Sequence, residues 1–149
     1  MAKKLKLSVF IILLGSKYRE SIISKLVKII NYFYNEILLS IEIETGTRVG
    51  EGLKIYHGYG IVINKGTVIG RHCTLRNGVV IGNKLRMDGS ETGCPKIGDR
   101  VNFGANAIAI GEITIGDDVT VGAGAVVVKD VPAGATVVGN PARVIATRS

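Results

Sequence analysis

From Ile97 to Val131 the chain reads IGDRVN-FGANAI-AIGEIT-IGDDVT-VGAGAV-VVKDV, six residues at a time. Ile97, Phe103, Ala109, Ile115, Val121 and Val127 open successive hexads, and Val101, Ala107, Ile113, Val119, Ala125 and Val131 stand four residues after them. Gly follows the opening residue at 98, 104, 116 and 122. A fixed internal period is a better guide to fold than local propensity. Two apolar residues per hexad can fill a narrow core. Glycine then either relieves crowding or supplies positive φ at corners. The pattern predicts a coil of short strands in which each turn pairs with the next. Three such hexads, one per face, complete a turn. Long helices do not fit, because strand faces have period two and corners recur too often.

The same period runs backward in two stretches. Ile43, Val49 and Ile55 form one; Ile63, Ile69, Leu75 and Ile81 form the other, with Thr67, Cys73 and Val79 four residues on. Between Ile55 and Ile63 the phase slips by two residues, across Tyr56-His57-Gly58-Tyr59-Gly60. Ile81 and Ile97 are out of step with the hexad count, and the segment from Asn83 to Cys94 reads as a loop pushed out of the coil. Breaks in a regular repeat are candidate functional positions. An inert insertion is the alternative.

Residues 1–40 differ in character. Gly15 is their only glycine, and Ile22, Leu26, Ile29, Ile30, Phe33 and Ile37 recur at helical spacing between Tyr18 and Leu39. Ser16 stands where an N-cap would. The division expected is a helical segment over 1–40 and a coil over 41–149. The apolar stripe either packs on the coil or, with Lys3, Lys4 and Lys6, lies on a membrane surface. The run Val9–Leu14 is far short of the roughly 20 residues that span a bilayer. No small-residue cleavage site follows it, so the segment is expected to be retained.

Lysine and arginine total 19 against 12 acidic residues, a net charge of +7 that favours an anionic partner. No basic cluster interleaved with aromatics appears in the glycine-rich part, which argues against nucleic acid. Two cysteines, Cys73 and Cys94, are too few for a disulfide framework and lack metal-ligand spacing, so a reducing, cytoplasmic setting is expected.

The segments Ile113–Val119, Val121–Val127 and Lys129–Gly134 resemble the left-handed β-helix acyltransferases, and Val138-Gly139-Asn140-Pro141-Ala142-Arg143-Val144-Ile145 matches their terminal motif. The likeness is closest to the serine acetyltransferase branch and covers roughly 41–145. It implies a left-handed parallel β-helix, acetyl-CoA as acyl donor, no metal, and a homotrimer with active sites between subunits. In that branch Ile55–Ile63 corresponds to the stretch holding the catalytic histidine, here His57, and its carboxylate partner falls at Glu42, with Glu44 a nearby competitor. By position Ala105 and Ala123, flanked by Gly104 and Gly122, match cofactor contacts. Asn83 and Lys84 are counted with them, and Lys129 and Arg143 could meet phosphates. The family's substrate-handling aspartate and arginine–histidine pair are replaced here by Tyr56, Gly93 and Cys94, which directs expectation away from serine. Short chains of this type resemble the acetyltransferases that decorate sugars in surface-polysaccharide synthesis.

Acetyl transfer from a thioester to a hydroxyl needs a base for the proton and donors for the oxyanion. An imidazole titrating near pH 6.5 can be that base, and a carboxylate such as Glu42 would fix its tautomer. His57 could also simply satisfy a corner, and Glu42 could be an ordinary solvated charge. His72, on an outward hexad position, reads as surface. With two histidines the chain cannot supply the three-histidine zinc site of carbonic anhydrases on the same coil. Cys73 reads as core and Cys94 as packed or solvent-facing rather than nucleophilic. A sugar hydroxyl is the expected acceptor and serine the runner-up. A non-catalytic trimeric scaffold is the rival from another class.

Overall fold

The computed structural model describes residues 2–17, 25, 27, 29, 30, 32–37, 40–44 and 47–147. In chain order β1 (Ile41–Ile43), β2 (Arg48–Val49) and β3 (Lys54–Tyr56) make the first coil, and β4 (Ile61–Ile63), β5 (Val68–Ile69) and β6 (Thr74–Arg76) the second. The third holds β7 (Val80–Gly82), β8 (Lys96–Ile97) and β9 (Asn102–Phe103), and the fourth β10 (Ile108–Ile110), β11 (Thr114–Ile115) and β12 (Thr120–Val121). β13 (Val126–Val127) and β14 (Ala135–Val138) begin a fifth, and β15 (Arg143–Thr147) folds back antiparallel on β14. Parallel pairing stacks β1, β4, β7, β10 and β13 on face A, β2, β5, β8 and β11 on face B, and β3, β6, β9, β12 and β14 on face C. The chain therefore visits the three faces in turn and climbs one rung per circuit, forming a β-solenoid.

The registers give the length of each circuit. Val62 pairs with Val80 and Ile108 with Val126, the regular spacing of three hexads. Ile41 pairs with Ile61, so the first circuit is longer than the regular one by two. Val80 pairs with Ile108, so the third is longer by ten. From Ile97 onward both inward positions of every hexad are buried, none more than 7% exposed. Val49 of the first coil is only half-buried.

Glycine after the opening residue is explained by crowding. A Cβ on Gly104 would lie 2.5 Å from the Ala123 nitrogen, and one on Gly116 would lie 2.6 Å from the Ala133 nitrogen. Neither residue has positive φ. Positive φ falls instead at the corners, at Gly60, Gly78, Asn106 and Gly124 on the C–A edge and at Gly52, His72, Arg100, Asp118 and Gly134 on the B–C edge. Side chains at the second edge form a charge ladder. The Arg100 guanidinium donates to both carboxylate oxygens of Asp118 at 2.7 Å, which holds its own pKa above the usual value. Asp99 accepts from the Arg71 backbone N–H at 2.7 Å and from its guanidinium, which lowers the Asp99 carboxyl below the ordinary range.

Thr67 occupies an inward position and is fully buried, and its hydroxyl has no partner among the described residues. Thr67→Val keeps the shape and removes the unsatisfied group. It is expected to stabilise by about 1 kcal/mol, a rise in Tm of roughly 3 °C. A fall in Tm on thermal melting would mean that the hydroxyl has a partner.

At the N-terminus α1 (Ala2–Lys17) lies against β2 and β3 and buries Ile11 and Ile12, the latter within the coil's core cluster. The first coil has no preceding rung, and α1 covers apolar surface that would otherwise meet water. Ser16 sits inside the last turn of α1 rather than capping a following helix. Of the expected stripe, Ile22 and Leu26 lie outside the described residues, as does most of the segment 18–39. Ile29, Ile30 and Phe33 are exposed, whereas Val27 is buried, so these members of the stripe do not pack on the coil, the first of the two readings of the stripe. Tyr32–Ile37 forms a π-helical turn, which breaks the 3.6-residue period on which that prediction rested. Among the described residues no helix is long and apolar enough to cross a membrane.

Candidate active site

On the upper rungs the C–A corner takes four steps between inward residues, as from Leu75 to Val79 and from Phe103 to Ala107, whereas Ile55 to Ile61 takes six. Backbone hydrogen bonds identify the extra pair. Gly78 N–H donates to the Tyr59 carbonyl at 2.8 Å, and Asn106 N–H to the Asn77 carbonyl at 2.8 Å, which aligns Tyr59 with Asn77 and Ala105. Tyr56 aligns with Arg76 in the strand register. The two residues left over are His57 and Gly58. His57 has φ of 52° and is exposed, and its carbonyl accepts from the Tyr59 N–H at 2.7 Å. The inserted pair therefore lifts the imidazole off the corner of the coil.

Tyr56 and Tyr59 flank it, 49% and 56% exposed. The Arg76 guanidinium lies over the Tyr56 ring, 5.9 Å from its centroid, and donates to Asn102 Oδ1 at 2.6 Å and to the Phe103 carbonyl at 3.3 Å. Glu42 points outward from the middle of β1 on face A, beside Val62. Among the described residues no hydrogen bond or ion pair joins it to His57. Glu44 is at the far end of face A, where it lines a different cavity. His72 is exposed on the B–C edge, its ring stacked where a Cβ on Gly52 would be.

Above His57 the same C–A edge carries Gly104 and Ala105, then Gly122 and Ala123. Both glycines are accounted for by rung packing, since a Cβ on Gly122 would meet Val138 Cγ1 at 2.8 Å. Ala105 is half-buried and Ala123 exposed.

The extruded loop leaves from the A–B edge. Lys84 N–H donates to Thr92 Oγ1 at 3.0 Å, and Thr92 N–H donates to the Lys84 carbonyl at 2.9 Å, which closes the loop at its base. Asn64 Nδ2 donates to Asn83 Oδ1 at 2.6 Å beneath it. A cavity of about 430 Å³ opens there, lined by Glu44, Asn64, Lys65, Asn83, Thr92 and Cys94 among others. Cys94 is half-buried, its Sγ where it would lie 3.0 Å from a Cβ on Gly66. Lys129 is exposed on this edge higher up. Arg143 opens β15 and donates to the carbonyls of Pro141 and Ala142. Cys73 is core, within 3.2 Å of the Gly98 carbonyl, and burial raises its thiol pKa.

The expected residues thus divide between two edges of one protomer. His57, Tyr56, Ala105 and Ala123 share the C–A edge; Asn83, Lys84, Cys94 and Lys129 share the A–B edge. Sequence reading missed Arg76 and Tyr59. Arg76 is distant from Tyr56 along the chain, and only the length of the first circuit reveals that they are neighbours.

The profile of a family described as "Hexapeptide repeat of succinyl-transferase" matches residues 58–83 and 96–129, and the stretch it skips is the extruded loop. Over 109 residues the solenoid is 47% identical to an Escherichia coli (strain K12) protein named "Putative colanic acid biosynthesis acetyltransferase WcaB", covering 73% of this chain and 65% of that one. This chain carries the hexapeptide repeat of that family. The hexapeptide-repeat chain superposes with a TM-score of 0.83 and 31% identity on a Neisseria gonorrhoeae serine acetyltransferase in complex with serine, covering 96% of this chain and 57% of that one. With a TM-score of 0.84 and 26% identity it also superposes on a Brucella abortus serine acetyltransferase in complex with coenzyme A, covering 98% and 57%. The chain spans between 33% and 65% of the curated relatives' lengths.

Proposed function

We propose that the solenoid is an acetyl-CoA-dependent O-acetyltransferase in which His57 is the general base, acting on a sugar hydroxyl. The observation that carries this reading is the two-residue insertion that presents an exposed imidazole on an otherwise regular edge. The acceptor hydroxyl gives its proton to His57 as its oxygen attacks the thioester carbonyl. The carbon–sulfur bond then breaks, and the imidazolium returns the proton to the departing thiolate. No covalent enzyme intermediate is needed, and Cys94 has no role as a nucleophile. Glu42 is the carboxylate best placed on face A to orient the imidazole, since Glu44 belongs to the other edge.

Coenzyme A would run along the C–A edge past Ala105 and Ala123, with the basic side chains Lys84, Lys129 and Arg143 available to phosphates. Because the loop and His57 occupy different edges, a complete site requires a neighbouring copy to bring its Asn83–Cys94 loop to this copy's His57. That requirement supports a homotrimer. The name of the 47%-identical relative and the replacement of charged substrate residues by Tyr56, Gly93 and Cys94 favour a sugar over serine. Cytoplasmic location fits a coenzyme A substrate. Lipid contact through the N-terminal segment is the finer reading there, supported by exposed Lys6, Leu7 and Phe10 on α1.

A thiol-release assay with acetyl-CoA against serine and a nucleotide-sugar panel tests the reading. Preference for serine would reassign the acceptor; a protein that neither binds coenzyme A nor releases it would favour a scaffold. A second test removes Lys84–Gly93, which restores the regular three-hexad circuit. The shortened chain is expected to melt within a few degrees of the parent yet lose transfer activity. Full activity would exclude the loop from the site.

A further inference from the structure

The structure assigns Tyr56 a specificity role: it is a stacking platform for the pyranose ring of the acceptor, held in place by Arg76. This inference rests on the reading of the site just given and names how that site selects its substrate class. Three observations carry it. The Tyr56 ring is half-exposed beside His57. The Arg76 guanidinium covers it from the next rung, and that guanidinium is itself fixed by Asn102 Oδ1 and the Phe103 carbonyl. β3 is the terminal strand of face C, and α1, which packs against that strand, still leaves the Tyr56 ring half-exposed.

A ring clamped on one side by a cation that is already hydrogen-bonded loses little freedom when a ligand stacks on it. The neighbours on the corner are Gly58, Tyr59 and Gly60, none of them charged. An amino-acid acceptor brings an ammonium and a carboxylate that need counter-charges. A pyranose brings an apolar C–H face that suits an aromatic ring and hydroxyls that suit the Tyr59 phenol. The edge therefore offers what a sugar needs, and the neighbouring cation, Arg76, is already engaged by Asn102 Oδ1 and the Phe103 carbonyl rather than held free for a carboxylate. Arg76 acts through Tyr56 and is a positioning residue.

The test combines kinetics with a binding readout. Tyr56→Ala should raise the acceptor KM about tenfold, with the acetyl-CoA KM and the melting temperature unchanged. Tyr56→Phe, which keeps the ring, should recover most of that loss. Arg76→Met should raise the acceptor KM severalfold, and Arg76→Lys should recover part of the loss. Independently of turnover, methyl pyranosides should shift the NMR signals of the Tyr56 ring and L-serine should not. An unchanged acceptor KM in Tyr56→Ala, a rise confined to the acetyl-CoA KM in Arg76→Met, or Tyr56 signals that ignore the pyranosides would overturn the assignment. Should no acceptor be acetylated, the enzymatic reading fails by itself, and the ring titration still decides whether Tyr56 is a sugar platform.

Discussion

His57→Ala lowers kcat for acetyl transfer by about a hundredfold to ten-thousandfold and leaves the coil intact: that is the largest functional effect expected here. Three structural facts make the expectation specific. The side chain is exposed, so its loss leaves no cavity. It belongs to an inserted pair, so no rung-to-rung strand pairing depends on it. The backbone at φ of 52° favours a small or polar residue, and alanine there costs about 1 kcal/mol. Coenzyme A affinity should therefore be nearly unchanged while turnover falls. His57→Asn tolerates the backbone better and should be equally inactive. The measurement is steady-state kinetics with coenzyme A binding by calorimetry. Activity retained in both variants would remove His57 from the chemistry.

The largest expected effect on stability is at Phe103. It is fully buried at the opening position of its hexad, in β9, where Asn102 beside it pairs with both Thr74 and Thr120. Phe103→Ala should cost about 3–5 kcal/mol, since a narrow core one ring wide cannot collapse to fill the space. In a solenoid each coil is supported by its neighbours, so a defect in a middle rung weakens both interfaces. Chemical denaturation should show the midpoint falling sharply. A loss below about 1 kcal/mol would mean that the core relaxes around the cavity.

The hexads from Ile97 to Val131 were legible because period and burial are the same fact in a coil, and every inward position is buried. The two breaks were legible as phase slips. What the sequence could not give was their content. The ladder from Tyr59 to Asn77 to Ala105 singles out His57 and Gly58 as the inserted pair, and a one-dimensional count cannot say which members of the stretch from Tyr56 to Gly60 are extra. Tyr56 and Arg76 are ladder partners on face C, but the inserted pair between them puts them 20 rather than 18 positions apart, so a regular three-hexad count would not pair them. The glycines after each opening residue allowed two explanations, and the close approach of the next rung decided for crowding. The N-terminal segment was read least well. Helical spacing marked Ile29, Ile30 and Phe33 as part of an apolar face, to pack on the coil or lie on a membrane; they are not packed on the coil, and Ile11, Ile12 and Val27 are buried instead. Periodicity shows that a face is apolar, not whether the fold offers it a partner.

Everything proposed for His57, Tyr56 and the extruded loop rests on acetyl transfer from coenzyme A to a sugar hydroxyl. The most direct test is thiol release from acetyl-CoA, measured with a panel of nucleotide sugars and with L-serine at matched concentrations. Acceptor-dependent release is expected with at least one sugar, leaving the acetyl group on a sugar oxygen and running well above the rate with serine. Release with serine alone would contradict the acceptor assignment, and no acceptor-dependent release from a folded protein would contradict the enzyme.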